Sequence, residues 1–145
     1  MGLQVSVQTY ALQISASGSS LRVSIDGKTI FNVSDASLRK GTVGLYSYFK
    51  SGSYFDDVRL QDFTGNILLA NDFNDGKFTG WSIINNGLDE GPSVWSVING
   101  AFAQTGNLGS NNANDGNLGT YALYTAAVGL IIGSRSSSAP ATTIS

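Results

Sequence analysis

The chain has 145 residues, of which 41% are hydrophobic and only 12% charged, and its formal net charge is −2. This length suits one domain with its own core, and the weak negative charge provides no basic surface for nucleic acid. Cysteine and histidine are both absent from the sequence. Disulfides, thiolate zinc sites, thiol catalysis and every histidine-dependent site are therefore excluded.

Short alternating segments separated by turns fill residues 4–63. One strand carries three apolar residues on the same face, namely Leu21, Val23 and Ile25. It ends at Asp26-Gly27, a dipeptide suited to a tight hairpin turn. Further strands are predicted near 42–49 and 54–62. This spacing of strands and turn signals is typical of an all-β sandwich or barrel.

Residues 64–125 contain longer turns but continue the same pattern. Asn99-Gly100 predicts a second tight hairpin, since the segments on both sides alternate. Residues 105–118 are rich in Asn and Gly and are predicted to form a loop. Residues 119–124 alternate again and predict another strand. No segment of useful length shows the helical period.

Alternation also predicts which side chains fill the core. Trp95 is in phase with Val97, and Trp81 follows Gly80, so both indoles are expected inside the sandwich. The predicted core consists of the following residues: Leu12, Ile14, Leu21, Val23, Ile25, Val43, Leu45, Phe55, Val58, Leu60, Phe73, Trp81, Trp95, Val97, Phe102, Tyr121 and Leu123.

The predicted elements form one domain over residues 1–132, followed by a Ser/Ala/Thr tail over 133–145 that is expected to be flexible. No run of about 18 apolar residues occurs, so no membrane insertion is expected. The first residues lack the basic region and apolar core of a signal peptide. The surface is poor in charge and rich in hydroxyl and amide groups, which is common in secreted β-proteins. We therefore expect an extracellular or cell-surface protein.

Several motifs resemble those of concanavalin A-like, or laminin G-like, jelly-roll modules. Residues 10–60 resemble the last third of such a module in Tyr10-Ala-Leu-Gln-Ile, Leu21-Arg-Val-Ser-Ile-Asp-Gly, Gly41-Thr-Val-Gly-Leu-Tyr and Phe55-Asp-Asp-Val. Residues 68–124 resemble the first third in Asp72-Phe-Asn-Asp-Gly, Gly80-Trp81, Trp95-Ser-Val-Ile-Asn-Gly100, Gln104 and Gly119-Thr-Tyr-Ala-Leu. The resemblance implies an antiparallel jelly-roll β-sandwich of the lectin-like type.

The order of these motifs is the reverse of the family's order. C-terminal-type motifs in residues 4–63 precede N-terminal-type motifs in residues 64–125. Three explanations stand: a fragment that spans two tandem modules, a circular permutation joined through residues 61–71, or a sandwich completed by strands of a neighbouring chain. In the third case another copy covers the unpaired edges and exposed apolar face. Head-to-tail pairing that does not close then gives a filament.

Two clusters of oxygen ligands suggest a structural calcium ion. One consists of Asp56 and Asp57, and the other of Asp72, Asn74 and Asp75. The clusters converge if the first and last strands of the module are neighbours, and Ca²⁺ prefers such carboxylate and amide oxygens. Modules of the resembling family also often hold a structural Ca²⁺ close to their termini. The alternative is that these residues only form turns and solubilise a strand edge.

Tyr46 and Tyr48 are candidates for stacking against a sugar ring. They lie out of phase with Val43 and Leu45, which places them on the face opposite the predicted core. Exposed aromatic rings bind the apolar faces of sugars in lectin-like sites.

The inventory of acidic residues argues against an enzyme. Glycoside hydrolysis needs two carboxylic acids across a cleft, but Glu90 is the only glutamate and lies in a turn sequence. Asp56 and Asp57, taken as neighbours on a strand, point to opposite faces. We therefore expect a non-catalytic protein that acts in self-assembly. The alternative is a carbohydrate- or cell-surface-binding module of a larger secreted protein.

Overall fold

The computed structural model describes residues 8–37, 40–48, 50–62, 64–86, 93–106, 119–126, 130–131 and 142–144. Within these ranges every regular element is a β-strand, which confirms the predicted all-β class. The strands are β1 Leu12–Ser17, β2 Ser20–Ile25, β3 Lys28–Ser34, β4 Lys40–Gly41, β5 Gly44–Ser47, β6 Ser53–Phe55, β7 Val58–Asp62, β8 Ile67–Asn71, β9 Trp81–Asn85, β10 Trp95–Ile98, β11 Ala101–Gln104, β12 Thr120–Tyr124, β13 Leu130–Ile131 and β14 Thr142–Ile144.

The strands form antiparallel sheets. The largest has six strands in the order β3-β2-β1-β14-β7-β8, and two three-stranded sheets have the orders β10-β11-β6 and β5-β12-β9. β13 and β4 form a separate pair. β14 lies between β1 and β7, so residues 142–144 of the segment predicted as a flexible tail form an internal strand. The rest of that segment, like most of the predicted loop 105–118, lies outside the described residues.

Both predicted hairpin turns are present. Asp26 and Gly27 have φ angles of 50° and 77°, and Asn99 and Gly100 have φ angles of 52° and 81°. Two successive positive φ angles are the signature of the type I′ turn, whose twist matches that of the adjoining strands. The turns connect β2 to β3 and β10 to β11.

The strand predicted near 54–62 is two strands in the structure. β6 pairs with β11, whereas β7 pairs with β14 and β8 in the six-stranded sheet. The chain changes sheet at Asp57, whose φ is 51°, and the Asp56 carboxylate accepts the Asp57 N–H at 2.8 Å. Aspartate tolerates this left-handed backbone better than most residues do. The prediction that Asp56 and Asp57 are neighbours within one strand is therefore wrong.

β7 and β8 form a hairpin in which Leu60 lies opposite Leu69. Its turn is organised by the buried carboxylate of Asp62. This carboxylate accepts hydrogen bonds of 2.7–2.9 Å from the backbone N–H and hydroxyl of Thr64, and from the backbone and side-chain N–H groups of Asn66. These hydrogen bonds link the end of β7 to the residues just before β8.

The core is an aromatic cluster at which β7 and β8 meet the two three-stranded sheets. Phe102 is its centre and is fully buried. Its ring centroid lies 4.9 to 5.8 Å from those of Phe73, Phe78, Trp81 and Trp95. The predicted core positions that are buried are Val43, Val58, Leu60, Phe73, Trp81 and Phe102. Leu69 and Ala122, which were not predicted, complete the cluster.

Candidate functional site

The strands β1, β2 and β3 present a continuous apolar surface. Their register places Ile14 opposite Val23 and Val23 opposite Phe31, and residues directly opposite each other share a face of the sheet. We call this surface the open face; it consists of Leu12, Ile14, Leu21, Val23, Ile25, Phe31 and Val33. No charged residue belongs to this set, and Lys28, opposite Ile25, lies at its margin.

The open face is the continuation of the face that forms the core elsewhere in the sheet. Ile14 pairs with position 144 of β14, which in turn pairs with Leu60. Leu60 is 0% exposed because the aromatic cluster covers it, whereas Leu12 is 52% and Phe31 43% exposed. The second layer of the sandwich therefore covers β7 and β8, whereas on the open face Leu12, Phe31 and Val33 are exposed and the other members are half-buried. The prediction that Leu12 is a core residue is wrong for this reason.

The opposite face of the same three strands is polar. The Arg22 guanidinium donates to the Thr29 hydroxyl at 2.7 and 3.1 Å. The Ser24 hydroxyl donates to the Gln13 amide oxygen at 3.4 Å. The part of the six-stranded sheet formed by β1, β2 and β3 is therefore amphipathic. Its apolar side is the side on which the second layer packs against β7 and β8.

The structure brings part of the predicted calcium set together. Asp57, Asp72 and Asp75 line a surface depression of about 630 Å³ at the ends of β7 and β8, together with Val58, Arg59, Ala70 and Asn71. Val58 and Asn71 are direct cross-strand partners, which explains why the two acidic segments approach each other. Asp56 and Asn74 do not line this depression.

The oxygen atoms in this region already stabilise turns. The Asp72 carboxylate accepts the Asn74 N–H at 3.1 Å, which lowers the pKa of Asp72, and the Asp75 carboxylate accepts the Lys77 N–H at 2.9 Å. The Asn74 amide oxygen lies toward Gly100. Among the residues that the structure describes, no three acidic side chains form a group able to hold a metal ion. The calcium site stays a prediction from the sequence.

Tyr46 is exposed, as its phase in the sequence predicts, and packs against the half-buried Tyr121. Its side chain is 43% exposed, and its ring centroid lies 4.8 Å from that of Tyr121, its cross-strand partner. Tyr46 also lies over Gly119, where a β-carbon would come within 2.9 Å of its ring. Burial against these neighbours raises the pKa of Tyr46, with further contributions from Tyr121 and Tyr48. Tyr48 itself is half-buried.

Sequence reasoning missed two features of these surfaces. Tyr121 was predicted as core but lies on the outer face beside Tyr46, because β12 turns Thr120 and Ala122 inward. The second missed feature is the apolar face of β3. Phe31 and Val33 alternate along this strand and form that face, so their alternation in the sequence could have predicted it. The fully buried Gln104 was not predicted either, and nothing in its local sequence distinguishes it from a surface glutamine.

The comparisons with known proteins return no relatives. The chain matches no protein-family model, and no curated protein or solved structure is significantly similar to it. In the described part of the chain, no helix has the length and apolar character needed to cross a membrane. The surfaces described above therefore provide the basis for a functional proposal.

Proposed function

We propose that this protein acts, without catalysis, in self-assembly outside the cell. The observation that carries the proposal is the open face, an uncharged apolar sheet surface that continues the core but has no covering layer from the described chain. Exposed contiguous apolar patches on soluble proteins commonly mark interaction sites. A second copy can supply the missing layer and complete the sandwich between chains.

The chemistry of the open face favours a like surface as its partner. Packed β-sheets lie about 10 Å apart and interdigitate apolar side chains, and the open faces of two copies provide such side chains on both sides. The absence of charge within the face means that two copies bring no like charges together there. Phe31 is the largest of its exposed side chains, and aromatic residues commonly dominate the binding energy of interfaces. We expect Phe31 to be central to the contact.

Hydrodynamic size tests the proposal directly. We expect sedimentation velocity to show an assembly larger than the 15.2 kDa chain, and the double substitution of Phe31 and Val33 by serine to return it to a monomer. Asn32→Ser is the matched control, since Asn32 lies between them on β3 and belongs to the opposite, polar face. A wild-type protein that is monomeric over the accessible concentration range overturns the proposal.

The proposal includes a lectin-like jelly-roll architecture, as the motif resemblance implies. The pairing of β7 with β8 supports it, because it joins a strand of the segment that resembles a module's end to one of the segment that resembles its beginning. This adjacency is expected both for a permuted sandwich and for one shared between chains. An experimental structure of the assembled protein distinguishes these cases by showing which chain covers the open face.

Carbohydrate binding is the second candidate, and the Tyr46–Tyr121 pair favours it. The rings lie on the outer face of the sheet β5-β12-β9 and are held in place by cross-strand packing. Preorganised aromatic rings of this kind suit sugar stacking. Glycan-array binding that Tyr46→Ala abolishes would support this function. Tyr54→Ala is the matched control, since Tyr54 is 55% exposed on a different sheet.

A further inference from the structure

Two polar contacts, one on each side of Gln104, join the two three-stranded sheets. On β10-β11-β6, Gln104 lies between its cross-strand partners Trp95 and Ser53. On β5-β12-β9, Thr120 and Ser47 are partners. The Trp95 indole N–H donates to the Thr120 hydroxyl at 2.8 Å, and the Ser47 and Ser53 hydroxyls lie 3.2 Å apart. We call these four residues the polar frame: two of them are the cross-strand partners of Gln104, and the other two contact those partners.

The Gln104 carboxamide has no hydrogen-bond partner in this frame. Gln104 is 0% exposed, and neither its amide nitrogen nor its amide oxygen bonds to any group among the described residues. Its neighbour Thr120 is equally buried but fully engaged, because it accepts from Trp95 and donates to Asn85 at 2.8 Å. Buried polar groups in native proteins are almost always paired with protein atoms or ordered water. An unpaired carboxamide at such a position therefore points to a small polar ligand.

The direction of the neighbouring hydrogen bonds leaves an acceptor for such a ligand. The Ser47 hydroxyl donates to the Lys50 carbonyl at 3.1 Å, so the Ser53 hydroxyl is the donor within the serine pair. The oxygen of Ser53 then keeps a lone pair for another donor. Directly opposite residues have β-carbons about 4.5–5.5 Å apart, a spacing that one small molecule can bridge from Gln104 to Ser53.

We propose that the polar frame is a binding site for ordered internal water, which bridges the Gln104 carboxamide to the Ser53 hydroxyl. Water both donates and accepts, so it can satisfy the amide nitrogen and a hydroxyl oxygen together, as buried waters typically do. The bridge joins β11 to β6 within one three-stranded sheet, beside the Ser47–Ser53 contact with the other three-stranded sheet. It is independent of the open face and of self-assembly.

Water–protein nuclear Overhauser effects on isotope-labelled protein test the site. We expect a long-lived water signal on the Gln104 side-chain amide, which is lost or reduced in Ser53→Ala. The control Gln13→Met, at an exposed glutamine on β1, should leave the signal unchanged. Absence of the signal in the folded wild-type protein overturns the proposal, as does a signal that Ser53→Ala leaves unchanged.

The stabilities of variants at Gln104 and Ser53 provide a second readout. Because Gln104→Met and Ser53→Ala remove the same bridge, the double variant should have a midpoint of thermal unfolding close to that of the more destabilised single variant. Gln104→Met is expected to lower the midpoint. A midpoint raised by Gln104→Met, with additive effects in the double variant, would show that the carboxamide is merely an unpaired buried group and would refute the water site.

Discussion

Gly119 packs directly against the backbone carbonyl of Ser47, its neighbour across the β5–β12 edge. A β-carbon at Gly119 would lie inside the contact distance of the Ser47 carbonyl oxygen and 2.9 Å from the Tyr46 ring. We expect Gly119→Ala to lower the free energy of unfolding by about 1–3 kcal/mol, as overpacking does. Equilibrium denaturation in urea measures the change.

Gly44 provides the matched comparison on the same sheet. A β-carbon there would meet the Leu123 side chain at 2.6 Å, but a leucine methyl group can rotate away whereas a backbone carbonyl cannot. Gly44→Ala should therefore cost less than Gly119→Ala. Equal losses of stability would show that the close approach at Gly119 does not determine the packing of this edge.

Phe102 packs against four aromatic rings: one on β9, one on its own sheet in β10, and two in the segment between β8 and β9. Phe102→Ala should lower the free energy of unfolding by about 3–5 kcal/mol, because it leaves a cavity at the centre of the core. This is a large fraction of the about 5–15 kcal/mol that stabilises an ordinary domain. Tyr54→Ala, an exposed aromatic substitution on the neighbouring strand β6, should change stability by no more than about 0.5 kcal/mol. Denaturant titration of both variants checks the difference.

The hydrogen bonds at Asp62 make stability depend on acid pH. The Thr64 hydroxyl, followed by the N–H groups of Asn66 and Thr64, holds the pKa of Asp62 below its ordinary value of 3.8. Since the folded-state pKa is the lower one, the stabilisation is present above pH 3.8 and is lost as the pH falls through the folded pKa. Thr64→Ala should therefore flatten the acid limb of the stability profile, as measured by thermal unfolding across pH.

A hydroxyl that bonds to an uncharged partner provides the control for this experiment. The Thr42 hydroxyl donates to the Tyr124 carbonyl at 2.9 Å, and this bond does not involve a titrating group. Thr42→Ala should lower stability by a similar amount at every acid pH. If Thr64→Ala behaves in the same way, the charge of Asp62 does not contribute to the acid dependence.

Local signals predicted the fold well where a few adjacent residues determine the structure. Asp26-Gly27 and Asn99-Gly100 each supply two positive φ angles, so the hairpins follow from the dipeptides alone. Alternation also placed Tyr46 outside, because the period of a strand determines its faces. These predictions needed no knowledge of which strands pair.

Predictions that depend on distant parts of the chain were less successful. Alternation assigns Leu12 to an apolar face, but it does not show whether another layer covers that face. The pairing of Thr142–Ile144 between β1 and β7 and the change of sheet at Asp57 are likewise decided by tertiary contacts. The approach of Asp57 to Asp72 was predicted because it followed from a single assumption, that the strands beside them are neighbours.

Thermal unfolding in calcium and in chelator tests the calcium prediction. If Asp57, Asp72 and Asp75 bind Ca²⁺ in their shared depression, calcium should raise the midpoint of unfolding by mass action. Asp72→Asn should remove this increase, since it keeps the oxygen that accepts the Asn74 N–H but removes the charge. Identical midpoints with calcium and with chelator would exclude the site.

Tyr46 should ionise at a higher pH than an ordinary tyrosine. Burial against its neighbours disfavours the charged phenolate, and its pKa therefore lies above the ordinary value of 10.0. Because the folded-state pKa is the higher one, the associated stabilisation is present below pH 10.0 and is lost as the pH rises through the folded pKa. An absorbance titration of phenolate formation, compared between wild type and Tyr46→Phe, isolates this residue.

Tyr121→Ala should move the Tyr46 pKa back toward 10.0, since it removes the ring that packs against it. A Tyr46 pKa that Tyr121→Ala leaves unchanged would show that the aromatic pair does not bury the phenol.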